Sequence, residues 1–192
     1  ARQRALVARV LPLGFVTAIG SLQTNIPRYF VDAHGTRTDV GVFGNLSYLL
    51  VAGNLVVAAI ANAVLPRLAR HAADRAWGPF TRTLRTMILI GMGLAAVAVV
   101  ACLLLGEPVL RLLYSEHEAA NADVLVWMAA AAGLVWSYVF LGTALDAMRQ
   151  FTIQPWIHGA STAVIAGACA LLVPGHGLRG AAWSMLIGYG VE

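Results

Sequence analysis

The chain has 192 residues, of which 59% are hydrophobic and 11% are charged, and its formal net charge is +4. Soluble domains carry about 25% charged residues, so the composition excludes an ordinary water-soluble domain. The arginines stand between long apolar runs, and no basic face interleaved with aromatic residues is present, which excludes nucleic acid as a partner.

Apolar segments recur along the whole chain. They cover approximately residues 10–26, 40–65, 87–106, 124–145 and 156–173, and a sixth begins near residue 180 and is expected to be incomplete. A membrane-spanning helix needs about 17–25 residues. No segment carries a β-strand pattern. The sequence therefore predicts an all-α fold: a polytopic transmembrane helix bundle of about six spans, in a single lobe formed by residues 1–192.

The arginines are distributed unevenly between the two sides of the predicted membrane. Nine of the 13 basic residues lie on the side of the N-terminus, and all of them are arginine. Because basic residues favour cytoplasmic connections, the N-terminus is predicted to be cytoplasmic.

The longest connection joins the second and third spans. Residues 66–85 hold five of these arginines, together with Trp77 and Phe80. We expect a cytoplasmic basic interfacial linker whose helix lies along the lipid headgroups. A coupling or regulatory contact is the alternative.

Polar residues form a stripe along the first span. At about 100° per residue, Thr17, Ser21, Thr24, Asn25 and Arg28 fall within roughly a third of the helix circumference. Hydrocarbon cannot satisfy these groups, so the stripe must face protein or water. Two interpretations of Arg28 stay open. Its side chain either snorkels to the outer interface or faces a cavity and binds an anionic group such as phosphate.

The second and fifth spans carry further polar residues. Ser47, Asn54 and Asn62 share one face of the second span, where they either hydrogen-bond between helices or line a cavity. His158 in the fifth span is either a packing residue or a group whose protonation is coupled to function. No nucleophile–base set, nucleotide-binding loop or metal-ligand spacing is found. We therefore predict no enzyme activity, no cofactor and no metal.

Several stretches resemble a known family. They are Asn25–Phe30 (NIPRYF), Gly41–Phe43 (GVF), the run from Tyr48 through Val51–Val57 (VAGNLVV), and Pro66–Ala69 (PRLA). These residues resemble the second half of polysaccharide (O-antigen-type) flippases, which belong to the multidrug/oligosaccharidyl-lipid/polysaccharide exporter superfamily. The resemblance is strongest from about residue 11 to residue 85.

The resemblance implies an architecture and a function. Such flippases have two six-helix lobes around a central cavity and move undecaprenyl-diphosphate-linked glycans across the bacterial inner membrane by alternating access. This chain would be the C-terminal lobe, beginning at the seventh helix, with Asn25 and Arg28 toward the outer end of the cavity. Substrate contacts are then expected from the polar residues of the first two spans: Thr17, Ser21, Thr24, Asn25, Arg28, Ser47 and Asn54.

The same resemblance names the expected partners. They are lipid-linked oligosaccharide, membrane lipids, the N-terminal lobe of the same full-length protein and the glycan polymerase machinery. A drug/cation antiporter of the same superfamily is the nearest alternative, although a cation site would favour buried carboxylates within the spans. A membrane enzyme of glycan assembly and a purely structural membrane subunit are the alternatives from other classes.

Overall fold

The chain folds into long helices, described by a computed structural model. The backbone is described for residues 2–192, and side chains are described for residues 14, 18–116 and 118–192. The helices, in chain order, are α1 (Arg2–His34), α2 (Arg37–Ala73), α3 (Trp77–Leu113), α4 (Glu116–Ala119), α5 (Ala122–Ala147) and α6 (Gln154–Gly190). Across residues 2–192 no β strand is present, so the predicted all-α fold is confirmed.

Four of these helices, α2, α3, α5 and α6, are long and apolar enough to cross a membrane. The outward face of α3 is covered with large apolar side chains, of which Val97 and Leu104 are among the most exposed. Apolar surface of this extent suits hydrocarbon rather than water. The chain is therefore a multi-pass membrane protein, as its composition predicts.

α6 contains a reversal of the chain direction at Gly177. This residue has φ 55° and ψ −128°, a left-handed backbone conformation that glycine adopts without a steric penalty. Beyond it the helix folds back on itself, as the hydrogen bond of 2.8 Å from Ser161 Oγ to the Gly188 carbonyl shows. α6 is thus a hairpin of two antiparallel arms, residues 154–176 and 178–190, which coincide with the predicted fifth and sixth apolar segments.

α5 is the central helix of the lobe. It is apolar on all sides, as expected for a helix surrounded by others, and it packs against α2, α3 and α6. Small residues permit a close approach to α3, since a Cβ on Gly91 would lie 3.0 Å from the Phe140 ring and one on Gly133 would lie 2.5 Å from Ala95 Cβ. The two apolar cores of the lobe therefore both include residues of α5.

The connections gather at two opposite ends of the bundle. Gly35, Asn121 and Gly177, each from a different connection, line one small cavity at the first end. Arg179 Nε lies 2.6 Å from Asp123 Oδ2 at the same end. α2 starts there with a capping box, in which Asp39 N–H donates to Thr36 Oγ1 and the Asp39 carboxylate accepts from the Thr36 backbone N–H. The turns after α2 and α5 lie at the second end.

Residues 66–85 differ from the expected separate surface helix. α2 continues through Pro66 to Ala73 and α3 begins at Trp77, so these residues form the ends of two long helices and the short turn between them. Leu68 and Phe80 are both buried in the same apolar core. Their packing keeps the two helices continuous and outweighs the cost of a proline inside a helix, which is about 3 kcal/mol.

The hairpin of α6 predicts an asymmetry between two glycine-to-alanine substitutions. A Cβ on Gly180 would overlap the Leu172 carbonyl and lie 3.0 Å from the Val173 nitrogen, whereas one on Gly167 would meet nothing within 4 Å. Gly180→Ala should lower the free energy of unfolding by about 1–3 kcal/mol. Gly167→Ala, the matched control, should be neutral or stabilising by up to about 1 kcal/mol. Thermal unfolding of the whole protein in detergent measures both, and equal effects would contradict the hairpin.

Candidate functional site

The polar stripe of α1 lies on the outside of this lobe. Ser21, Thr24 and Arg28 are exposed and Asn25 is half-buried, while the side chain of Thr17 lies outside the described residues. The stripe therefore does not take part in the core of this lobe. In a membrane protein such a face must meet water or another protein surface.

Hydrogen bonds within α1 satisfy part of the stripe. Thr24 Oγ1 donates to the Gly20 carbonyl over 2.9 Å, and Asn25 Nδ2 donates to the Ser21 carbonyl over 2.8 Å. Arg28 differs, because no carboxylate of a described residue lies within 4.0 Å of its guanidinium. Its donors are thus left for a group outside the lobe, so both interpretations of this residue stay open.

A small cleft separates α1 from α2, and it brings three of the predicted site residues together. Thr24 of α1 and Ser47 and Asn54 of α2 line its walls, and the cleft has a volume of about 180 Å³. Three more polar side chains border it: Gln23, Tyr138 and Tyr189. We call this space the polar cleft. Ser21, Asn25 and Arg28 do not line it but continue the polar surface along α1.

The size of the polar cleft limits what it can hold. Binding pockets for small molecules usually measure about 300–1,000 Å³, which is more than the roughly 180 Å³ found here. A few water molecules or one hydroxyl-rich group would fit, whereas an oligosaccharide would not. If the cleft belongs to a substrate site, the rest of that site must come from a surface packed across α1 and α2.

The two polar residues of α2 have different surroundings. Ser47 Oγ donates to the Phe43 carbonyl of its own helix over 2.7 Å. Asn54 Oδ1 accepts a hydrogen bond of 2.7 Å from Nε1–H of Trp136 in α5. Asn54 therefore combines both expected roles, since it joins two helices and lines the cleft. Asn62, which shares their helix face, is exposed and lies outside the cleft lining.

Gln23 anchors a polar cluster that sequence reasoning missed. Its side chain is 1% exposed, and Nε2 donates to Ser161 Oγ over 2.7 Å and to Glu192 Oε2 over 3.2 Å. Gln23 is roughly opposite the stripe on the helical wheel, so it was not grouped with the stripe residues. The available signal was a glutamine inside an apolar span, because such a residue needs an internal partner.

His158 and Glu192 complete this cluster at the end of the α6 hairpin. Nδ1 of His158 lies 2.5 Å from Oε1 of Glu192, whose side chain is 1% exposed, although the two groups are not aligned as in a hydrogen bond. The Tyr138 ring stands edge-on to the imidazole at 5.8 Å. The contact places a buried carboxylate beside a group that can carry positive charge. The described residues contain no group of three side chains that could hold a metal ion.

The Trp136–Asn54 hydrogen bond can be tested by a double-mutant cycle. The Trp136 ring is packed against Gly53, where an added Cβ would overlap it, so ring position and hydrogen bond should act together. Asn54→Ala and Trp136→Phe should each destabilise the protein, with a coupling energy of about 0.6–1.7 kcal/mol. Asn62→Ala is the matched control for loss of an asparagine from α2. Strict additivity of the two changes would contradict the contact.

Comparisons with known proteins agree with this membrane lobe. The family model of the lipid II flippase MurJ matches residues 42–140, which is about half of the chain and includes Ser47, Asn54 and Trp136. The capsular polysaccharide biosynthesis protein CapF of Staphylococcus aureus is 29% identical over 187 residues, which cover 97% of this chain and 47% of the relative. The chain thus spans about half the length of that curated relative. No solved structure matches the chain significantly. This family match confirms the resemblance to polysaccharide flippases. The chain belongs to the MurJ family of lipid II flippases.

Proposed function

We propose that this chain is the C-terminal lobe of a flippase that moves polyprenyl-diphosphate-linked oligosaccharide across the bacterial inner membrane. The transported glycan would serve the synthesis of a cell-surface polysaccharide. The observation that carries the proposal is the polar face formed by the α1 stripe and the polar cleft, on the outside of a lobe that otherwise suits hydrocarbon.

This polar face is best explained by a second lobe packed opposite it. Hydrocarbon cannot satisfy the exposed Ser21 and Arg28, so the face needs water or protein in front of it. The polar cleft is too small for a glycan but can form one wall of a larger space. The N-terminal lobe of the same full-length protein would supply the other wall, and relative movement of the two lobes would give alternating access.

The comparisons support the substrate class. The matching family is described as a lipid II flippase, and the similar protein from Staphylococcus aureus is described as a capsular polysaccharide biosynthesis protein. A lipid carrier and a surface glycan together favour a lipid-linked oligosaccharide. A flippase moves its substrate without changing covalent bonds, so the family also favours transport over the alternative of a membrane enzyme.

The concentration of arginines at one end of the bundle supports a cytoplasmic N-terminus. Ala147 and Met148, beside the turn after α5, pack in the same core as Leu68 and Phe80, beside the turn after α2. Both turns therefore lie at one end of the lobe. Six arginines lie at or near these two turns: Arg67, Arg70, Arg75, Arg82, Arg85 and Arg149. This end would lie in the cytoplasm, because basic residues are favoured there.

Filling the polar cleft should block export of the glycan. Ser47→Phe places a ring where Ser47 now borders the cleft, and we expect export to fall at least about tenfold, which corresponds to a loss of about 1.4 kcal/mol. Val97→Phe, on the exposed apolar face of α3, is the matched control and should leave export unchanged. The measurement is surface glycan in a strain that lacks its own copy of the whole protein, at equal protein abundance. Normal export by the Ser47→Phe variant would contradict a substrate path at the cleft.

The two interpretations of Arg28 predict different outcomes. If its guanidinium binds a diphosphate, Arg28→Gln should reduce export about 10- to 100-fold, as expected for loss of a charge-assisted hydrogen bond. Arg28→Lys should restore only part of the activity, because an ammonium group cannot form the bidentate contact. Arg37→Gln, an exposed arginine at the same end of the lobe, is the control. Full activity of both Arg28 variants would leave snorkelling as the role of this residue.

A further inference from the structure

Another cavity lies at the end of the lobe where α2 turns into α3. It is a groove of about 770 Å³ between the last turns of α2 and the first turns of α3. It shares no lining residue with the polar cleft and faces a different part of the surface. Its volume lies within the usual range for small-molecule sites, and the proposed transport path makes no use of it.

One end of the groove is cationic and lacks anionic partners. Arg67 of α2 and Arg82 of α3 both line it and are exposed. Among the described side chains, no carboxylate lies within 4.0 Å of either guanidinium. Two unpaired cations in one groove repel each other, and an anion between them would remove that repulsion.

The hydroxyl groups of the groove do not compete for this role. Thr83 Oγ1 donates to the Pro79 carbonyl over 2.9 Å, and Thr86 Oγ1 donates to the Arg82 carbonyl over 3.0 Å. Their donors are already used within α3. The arginines are therefore the lining side chains best able to recognise an anion.

The other end of the groove is apolar. Ile60 and Val64 precede Arg67 on one face of α2, and Ile90 follows Arg82 on α3. At 1.5 Å per residue, the apolar ends lie about 10–12 Å from the arginines along each helix. Both walls therefore change from charged to apolar in the same direction, away from the turn. The exposed Trp77 at this turn is typical of a membrane–water interface.

We infer that this groove binds an anionic phospholipid from the adjacent leaflet. The phosphate group lies between Arg67 and Arg82, and an acyl chain follows Ile60, Val64 and Ile90 toward the membrane interior. Basic pockets between membrane helices recognise anionic headgroups in this way. A soluble phosphate would use the arginines but not the apolar end, whereas a phospholipid uses both. This inference does not depend on transport.

The test measures lipid binding to the whole protein purified in detergent. Phosphatidylglycerol and phosphatidylcholine with identical acyl chains are titrated and followed by native mass spectrometry. Phosphatidylglycerol should bind more tightly, and the double variant Arg67→Gln/Arg82→Gln should weaken its binding about 25-fold, at roughly a factor of five for each arginine.

The matched control removes the same charge from the same two helices. Arg70→Gln/Arg85→Gln changes two exposed arginines that do not line the groove, and it should leave the affinity nearly unchanged. Ile60→Asn changes the apolar end and should also weaken phosphatidylglycerol binding. Thermal unfolding of every variant shows whether the fold is kept, and a variant that fails to fold is replaced by methionine at the arginine positions or threonine at position 60.

Four outcomes would overturn the inference. Equal losses of phosphatidylglycerol affinity in the two double-arginine variants would mean that the basic surface as a whole attracts the lipid, rather than the groove. Equal binding of phosphatidylcholine would mean that the charge is not recognised. Full competition by inorganic phosphate, with no effect of Ile60→Asn, would assign the groove to a soluble anion. Stronger binding of undecaprenyl diphosphate than of phosphatidylglycerol would assign it to a transport substrate.

Discussion

Inside a bilayer, a polar side chain that faces outward from a helix bundle has no partner in the surrounding hydrocarbon. This constraint decides which faces of the lobe can lie against lipid. The outward face of α3 carries large apolar residues and meets lipid without cost. On α1, by contrast, Ser21 and Arg28 are exposed, and no carboxylate among the described residues lies within 4.0 Å of the Arg28 guanidinium. Only the second surface requires water or another protein in front of it. The second lobe that we propose opposite this face would satisfy this requirement.

The packing of the lobe explains why this polar face can exist. α5 stands at the centre, close to α3 through Gly91 and Gly133, and the α6 hairpin closes against α1. The buried side of α1 carries Gln23, whose side-chain Nε2 donates to Ser161 and Glu192 across the bundle. The buried side thus fixes the orientation of α1 and directs the stripe outward. The stripe on one side of α1 needs water or protein outside the lobe, whereas Gln23 on the other side needs partners inside it.

Sequence reasoning predicted those features that depend on local pattern. The spans, the break between the fifth and sixth segments and the outward stripe follow from hydropathy and helical periodicity. The Gln23–Ser161 contact joins residues 138 positions apart and could not be derived from spacing. The basic helix expected over residues 66–85 is not a separate element, because α2 continues through Pro66 to Ala73 with Leu68 buried and α3 begins at Trp77. Tertiary packing decided both cases.

The central claim is that the α1–α2 face borders a water-filled space, and cysteine accessibility tests it most directly. In the whole protein, with Cys102 and Cys169 replaced by alanine, single Thr24→Cys and Val97→Cys variants are treated with a membrane-impermeant maleimide in intact membranes. The account predicts that the cysteine at position 24 is labelled, and that its labelling increases when the protein opens toward the side where the reagent is added. The cysteine at position 97, which faces lipid, should be protected. Protection at position 24 equal to that at position 97, from both sides of the membrane, would contradict it.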